Sequence, residues 1–140
     1  MNIAILVLVA ASLGACATTE IDTNKAAPAA SLDAAMTTPR QSAAQLIIKR
    51  DTGFAGSACG IVVSVDGRPL ADLRPGEFAV AYLDAGDYVL RATPSGRRGG
   101  CVADPPLVRE ASVVLKNDGK RIYRIRMDEN LLLKLEQAAR

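Results

Sequence analysis

Short β-branched runs separated by turn signals fill the sequence from Gln45 onward. The turn signals are Asp66-Gly67, Pro75-Gly76 and the Asp-Gly of NDGK, residue types that tight turns favour. Short strands at such spacing are typical of an all-β sandwich or barrel. We therefore predict an antiparallel β-sandwich of about seven strands over residues 45–140, with candidate strands QLIIKR, CGIVVSV, RPLADL, EFAVAYL, DYVLRAT, LVREASVVLK and RIYRIRM.

Two details concern the C-terminal part of this sandwich. The NDGK signal predicts that LVREASVVLK and RIYRIRM pair directly as a hairpin. Alternation in RIYRIRM predicts one wet and one buried face, with Ile122, Arg124 and Arg126 opposite Tyr123, Ile125 and Met127. The final stretch, DENLLLKLEQAAR, fits either a short helix capped by Asp128 or an extra strand.

An apolar run, IAILVLVAASL, lies near the N-terminus. It has the length of the hydrophobic part of a secretory signal and falls short of the ~20 residues that a membrane-spanning helix needs. The small residues Gly14 and Ala15 follow, as a signal protease requires, and Cys16 comes next. The run therefore predicts export of the chain and removal of residues 1–15 as a signal peptide.

Residues Leu13, Gly14, Ala15 and Cys16 resemble the lipobox of bacterial lipoproteins. The resemblance implies that the Cys16 thiol receives a diacylglyceryl group and that the new amino terminus is acylated after cleavage. Two or more acyl chains hold a protein stably on a membrane. Because Ala17 follows the cysteine, the enterobacterial sorting rule implies the outer membrane, facing the periplasm. The alternatives are an ordinary signal peptide cleaved near ACA and a buried N-terminal helix.

The segment between Cys16 and the first strand has a different composition. Residues 17–44 are rich in Ala, Thr, Ser and Pro, contain no aromatic residue and show no sustained apolar period. We expect residues 16–44 to form the lipidated N-terminus and a flexible tether. A helix over AASLDAAM is the alternative, although so short an Ala-rich helix is marginal in water.

Two further cysteines lie in the domain. Export places Cys59 and Cys101 in an oxidising compartment, where two cysteines of a small domain usually pair. Their disulfide would stabilise the fold by on the order of 4 kcal/mol in the chain-entropy model. Two buried thiols are the alternative, and a zinc site is poorly supported because two cysteines without histidine fall short of a zinc ligand set.

Residues 46 to about 135 resemble an uncharacterised domain of small bacterial lipoproteins. The resemblance rests on LIIKR, on VSVDGRPLADLRPGEFAVAYLDAGDYVLRA and on SVVLKNDGKRIYRIRM. Turns like PGEF and AGDY also occur in transthyretin-like and carbohydrate-binding-like sandwiches. The resemblance implies a β-sandwich lipoprotein and brings no catalytic residues with it, while the Cys59 and Cys101 pair departs from the pattern.

Composition excludes several kinds of chemistry. The chain has no histidine, which excludes His-based catalysis and His metal ligation. With 17 Lys and Arg against 15 Asp and Glu, and no Trp, it does not suggest nucleic-acid binding or a stacking platform. An acid pair of the glycosidase kind is less favoured than turn roles for the carboxylates Asp66, Asp72, Glu77, Asp84, Asp87 and Asp104. We therefore predict no enzymatic activity, no cofactor and no metal site.

The arginines offer the one candidate contact surface. Arg97 and Arg98 lie in the loop PSGRRGG, residues 94–100, and with Arg124 and Arg126 they could contact an anionic partner such as a lipid headgroup or glycan phosphate. A solvated surface is the simpler interpretation. The sequence thus predicts a membrane-anchored envelope lipoprotein that acts as a structural or binding module on an envelope protein or glycan. The alternative is a periplasmic enzyme inhibitor or immunity-type lipoprotein that uses the 94–100 loop.

Overall fold

The structure, a computed structural model, describes residues 17–54, 56–95 and 107–139. Within these ranges it has nine strands in two sheets and one short helix. The all-β fold predicted from the strand pattern is confirmed. The elements are β1 (Ala27–Pro28), α1 (Ala34–Thr37), β2 (Ala44–Arg50), β3 (Gly60–Val65), β4 (Arg68–Leu73), β5 (Glu77–Leu83), β6 (Gly86–Ser95), β7 (Arg109–Leu115), β8 (Lys120–Met127) and β9 (Leu133–Gln137).

The two sheets differ in strand direction. The four-stranded sheet has the order β4-β3-β6-β7 and is antiparallel throughout. The five-stranded sheet has the order β1-β5-β2-β8-β9 and is mixed, because β1 runs parallel to β5 and β2 runs parallel to β8. The prediction of a purely antiparallel sandwich is therefore wrong for this sheet, and β1 and β9 account for the two strands beyond the seven expected.

The turns behave in two different ways. Asp66-Gly67 closes a hairpin between β3 and β4, and both residues have positive φ, as such turns require. The predicted hairpin across NDGK is wrong, because β7 pairs with β6 while β8 pairs with β2 and β9. This turn instead carries the chain from one sheet to the other, which lets both strands bury their apolar faces in the same core.

The core lies between the sheets and takes alternate residues from each strand. Leu46 and Ile48 of β2, Val63 of β3, Leu90 of β6 and Ile125 of β8 are fully buried there. The predicted buried face of β8 is therefore confirmed. Its other face is only partly wet, because a second, smaller apolar cluster on the outside of the five-stranded sheet contains Ile47, Ile122 and Ala138.

The C-terminal stretch forms the extra strand. β9 runs antiparallel to β8, and its first residue, Leu133, is buried. The helix alternative is wrong because Asp128 closes a turn: its carboxylate accepts the backbone N–H groups of Asn130 and Leu132, each at 2.9 Å. The chain then reverses beside β8.

Residues 18–38 lie along the sandwich, which differs from the flexible tether that we expected. β1 pairs with the edge of β5, and Ser31 bridges to Ala71. Asp33 caps the start of α1, and its carboxylate accepts the N–H groups of Ala35 and Met36. Met36 is only 3% exposed and belongs to the core. The buried Met36 and these pairings therefore hold a segment whose composition resembles that of a linker. α1 overlaps the last three residues of AASLDAAM, the stretch for which a helix was the alternative.

Candidate functional site

The first described residues lie at one end of the sandwich. Thr19 bridges to Thr52, and the backbone N–H of Thr18 donates to the carbonyl of Met127 at 3.2 Å. The backbone N–H of Gly76 donates to the backbone carbonyl of Arg50 at 3.0 Å. We call this region the Thr18 end; it comprises residues 17–19, the loop 52–59, the turn 74–76 and the loop 128–132. The end of the chain that leads back to Cys16 therefore emerges among these loops.

Arg50 fixes the loop that leads to Cys59. Its side chain is 4% exposed and donates to three backbone carbonyls, those of Cys59 at 2.6 Å, Gly56 at 2.7 Å and Leu73 at 2.8 Å. Burial lowers the pKa of Arg50 to about 10, against the opposing effect of nearby carboxylates, so the guanidinium remains charged at neutral pH. A planar cation with several fixed donors suits this role because it serves several carbonyls at once.

A buried ion pair fastens the N-terminal segment to the five-stranded sheet. The Asp51 carboxylate is fully buried against the guanidinium of Arg124, and it accepts the Thr18 hydroxyl at 3.2 Å. Hydrogen bonding to Asp51 raises the pKa of Arg124, so the arginine stays charged. Thr18 is thus held by a side chain of the folded domain as well as by its backbone.

Lys49 and Glu20 extend this contact. The Lys49 ammonium lies 2.8 Å from the Glu20 carboxylate and donates to the carbonyl of Ile21 at 2.9 Å. The hydrogen bond from Lys49 lowers the pKa of Glu20, and Arg124 lies 3.2 Å from the same carboxylate. Residues 18–21 are therefore bound to the outer face of the sheet by the opposite charges around Glu20 and by hydrogen bonds of Thr18 and Ile21.

The strand-face arginines are engaged within the protein. Arg124 contacts Asp51 and Glu20, and the Nε of Arg126 donates to Glu136 at 2.8 Å. Hydrogen bonding to Glu136 raises the pKa of Arg126. These ion pairs give Arg124 and Arg126 a structural role in place of the anion-binding role that the sequence left open.

Most of the other candidate residues from the sequence lie outside the residues that the structure describes. These are Cys16, Arg97, Arg98, Cys101 and Asp104. Cys59 is disulfide-bonded. The strands beside the 94–100 loop are described: β6 ends at Ser95, which pairs with Gly60, the residue after Cys59.

The candidate acid residues serve local structure where they are described. Asp66 accepts the N–H of Val89 at 2.8 Å, and Asp72 accepts the Ser95 hydroxyl at 2.8 Å. Glu77 accepts the N–H of Arg74 at 2.8 Å, and Asp84 pairs with Arg40 at 2.9 Å. They are spread over both ends of the sandwich, as expected for turn and strand-end roles.

The described surface offers two open depressions of about 570 Å³ each, which share Lys120 at the end away from Thr18. Among residues 17–54, 56–95 and 107–139, no group of three potential ligands is placed to hold a metal ion. In the same part of the chain, no helix is long and apolar enough to cross a membrane.

Exposed apolar side chains mark the Thr18 end, and sequence reasoning missed them. Phe54 is 91% exposed in the loop 52–59, and Leu131 and Leu132 are 52% and 40% exposed in the loop 128–132. The signal in the sequence was an aromatic residue inside the glycine-rich stretch TGFAGSACG, where a core position is not expected.

In comparison with known proteins, no protein-family model, curated protein or solved structure matches the chain.

Proposed function

We propose that the protein is a lipoprotein, anchored through Cys16 to the bacterial cell envelope, that acts as a non-enzymatic structural or binding module. The observation that carries the proposal is the LGAC lipobox after an apolar run of signal-peptide length. Acyl chains on the Cys16 thiol and on the new amino terminus supply the two or more anchors that stable membrane attachment needs. The outer membrane, facing the periplasm, is the location that Ala17 favours.

The short distance between Cys16 and the folded part supports a role at the membrane surface. Thr18 is bound to Met127 and Asp51, and only Ala17 separates it from Cys16. Consecutive Cα atoms are 3.8 Å apart, so the anchor lies within about 7.6 Å of Thr18. A lipidated Cys16 would therefore hold the Thr18 end against the membrane rather than let the domain reach across the periplasm.

We also propose that the partner of Cys59 is Cys101. The pairing of Gly60 with Ser95 sets the start of the loop that contains Cys101 beside Cys59, and only five residues separate Ser95 from Cys101. Such a cross-link suits the oxidising periplasm. It would close the 94–100 loop at its base.

Metabolic labelling with radioactive palmitate tests the anchor. In a bacterial host, the wild-type chain and a Cys59→Ser variant should both incorporate label and sediment with the outer membrane. A Cys16→Ser variant should incorporate none, because no thiol is left for the diacylglyceryl group. Equal labelling of the Cys16→Ser variant, or an unlabelled wild-type chain, would contradict the proposal.

A second candidate function is inhibition of a secreted enzyme by the 94–100 loop. It is favoured by the β6 stem, which continues to Ser95 beside Gly60 and the disulfide-bonded Cys59. A loop on a rigid stem loses little entropy on binding. If an Arg97→Ala, Arg98→Ala variant bound envelope proteins as the wild type does, and envelope-lytic enzymes stayed fully active beside the protein, this candidate would be discarded.

A further inference from the structure

Three exposed apolar side chains lie on loops that adjoin the residues in contact with Thr18. Gly53, which precedes Phe54, approaches the chain so closely that a Cβ on it would lie 3.2 Å from the Cα of Thr18. Met127, the last residue of β8, accepts the N–H of Thr18 and leads into the loop 128–132. Phe54 therefore follows a residue that contacts Thr18, and Leu131 and Leu132 lie in the loop that begins directly after another such residue.

The loop 128–132 presents its leucines to solvent in a fixed conformation. The Asp128 carboxylate accepts the N–H groups of Asn130 and Leu132, and the N–H of Leu131 donates to the Asp128 carbonyl at 3.0 Å. Leu131 has a φ of 60°, a conformation that costs energy for a residue other than glycine. Both side chains lie outside the core cluster, and 52% of Leu131 and 40% of Leu132 remain exposed in the folded domain.

We propose that Phe54, Leu131 and Leu132 insert into the lipid surface that holds the Cys16 acyl chains. This inference rests on the proposed function. The occupant follows from the position of the proposed anchor. Cys16 lies two residues before Thr18, and acylation would fix it in the membrane. The loops next to Thr18 would then face that same membrane. Aromatic and leucine side chains are the ones that bury favourably at a lipid interface.

Insertion is driven by apolar burial and not by charge. The loop 128–132 begins with Asp128 and Glu129, which anionic headgroups do not attract. The acyl anchor keeps the patch at a high local concentration next to the lipid, so that a weak individual interaction suffices. Contact with lipid should therefore persist at high salt and in vesicles without anionic lipid.

The chain contains no tryptophan, so a single introduced one reports its own surroundings. Full-length acylated protein carrying Phe54→Trp or Leu132→Trp is reconstituted in phosphatidylcholine vesicles with and without dibrominated phosphatidylcholine. The matched control is Val114→Trp, which replaces a 57% exposed side chain that pairs with Asp87 near the opposite end. Intact mass of each sample establishes that it is acylated.

Both test variants should be quenched by the brominated lipid at least twofold more than the control, and acrylamide in the water should quench them less. Equal behaviour of all three variants on acylated protein would overturn the inference and leave the proposed function standing. Protection from acrylamide without lipid quenching would assign the patch to a protein partner or a second copy, and would also overturn it. An unacylated chain would remove the proposed function and this inference together.

Discussion

The backbone N–H of Thr18 donates to the carbonyl of Met127 at 3.2 Å, across 109 residues of chain, and the Thr18 hydroxyl accepts the N–H of Met127 at 3.1 Å. This double contact binds the chain to the end of β8 two residues after Cys16. The proposed acylation site therefore adjoins the folded domain directly.

Met36 tests whether residues 17–44 belong to the folded unit. A Met36→Ala variant should lower the free energy of unfolding by about 2–4 kcal/mol, because it leaves a cavity beside the core. Leu32→Ala, at an exposed position nearby, should change it by less than about 0.5 kcal/mol. Urea denaturation measures both. Equal, small effects would mean that the segment is the loose tether that its composition suggests.

Replacement of Arg50 tests whether its side chain stabilises the loop that leads to Cys59. An Arg50→Met variant should lose about 3 kcal/mol of stability, because three backbone carbonyls lose a charged donor and remain partly buried. The control is Arg91→Met, since the exposed pair of Arg91 with Glu110 contributes about 1 kcal/mol or less. Chemical denaturation at neutral pH separates the two. A loss no larger than that of the control would contradict the role given to Arg50.

The strand pattern predicted the fold class well because alternation reports which face of a strand is buried. Leu46, Ile48 and Ile125 all lie in the core, as their spacing indicates. The pattern could not show which strands pair. An Asp-Gly turn at residues 118–119 can either close a hairpin or lead to the other sheet. Packing of both strands in the shared core decides that β8 pairs with β2 rather than with β7. The same limit hid the packing of residues 18–38, since it rests on one buried methionine and on backbone and ion-pair contacts that have no periodicity.

The sequence predicted the side-chain contacts of the site less well than it predicted the fold. Arg50 and Lys49 look like the polar end of a strand, and their partners, the carbonyl of Cys59 and the carboxylate of Glu20, are set by loops that have no periodicity. Arg124 and Arg126 look like a free basic face because their carboxylate partners are distant in the sequence or in another strand: Asp51 follows β2, and Glu136 lies in β9. The lipobox is a local pattern and needs no fold to be recognised.

Cys59 tests the disulfide proposal. Proteolysis without reduction should give a cross-linked peptide that contains Cys59 and Cys101, and reduction should separate it into two. Replacing both cysteines by alanine should lower stability by up to about 4 kcal/mol in the chain-entropy model. A Cys59 peptide joined to Cys16 would contradict both the pairing and the acylation of Cys16.

Replacement of Asp128 tests whether its carboxylate stabilises the loop that contains Leu131 and Leu132. The N–H of Leu132 lowers the pKa of Asp128 below its usual 3.8. Because the folded-state pKa is depressed, the stabilisation is complete above the unfolded pKa and is lost as the pH falls through the folded one. The melting temperature of the wild type should therefore exceed that of Asp128→Asn at pH 7, and the difference should shrink by pH 3. A difference that is constant, or that grows on acidification, would contradict this role.

The intact mass of the protein, extracted from membranes of its bacterial host, would show whether an acylated Cys16 holds the domain on a membrane. We expect a chain that begins at Cys16 and carries added acyl groups, with a gain of about two daltons on reduction for one disulfide. A mass that retains residues 1–15 without any acyl group would contradict the proposed anchor, and with it the proposed contact of the Thr18 end with lipid.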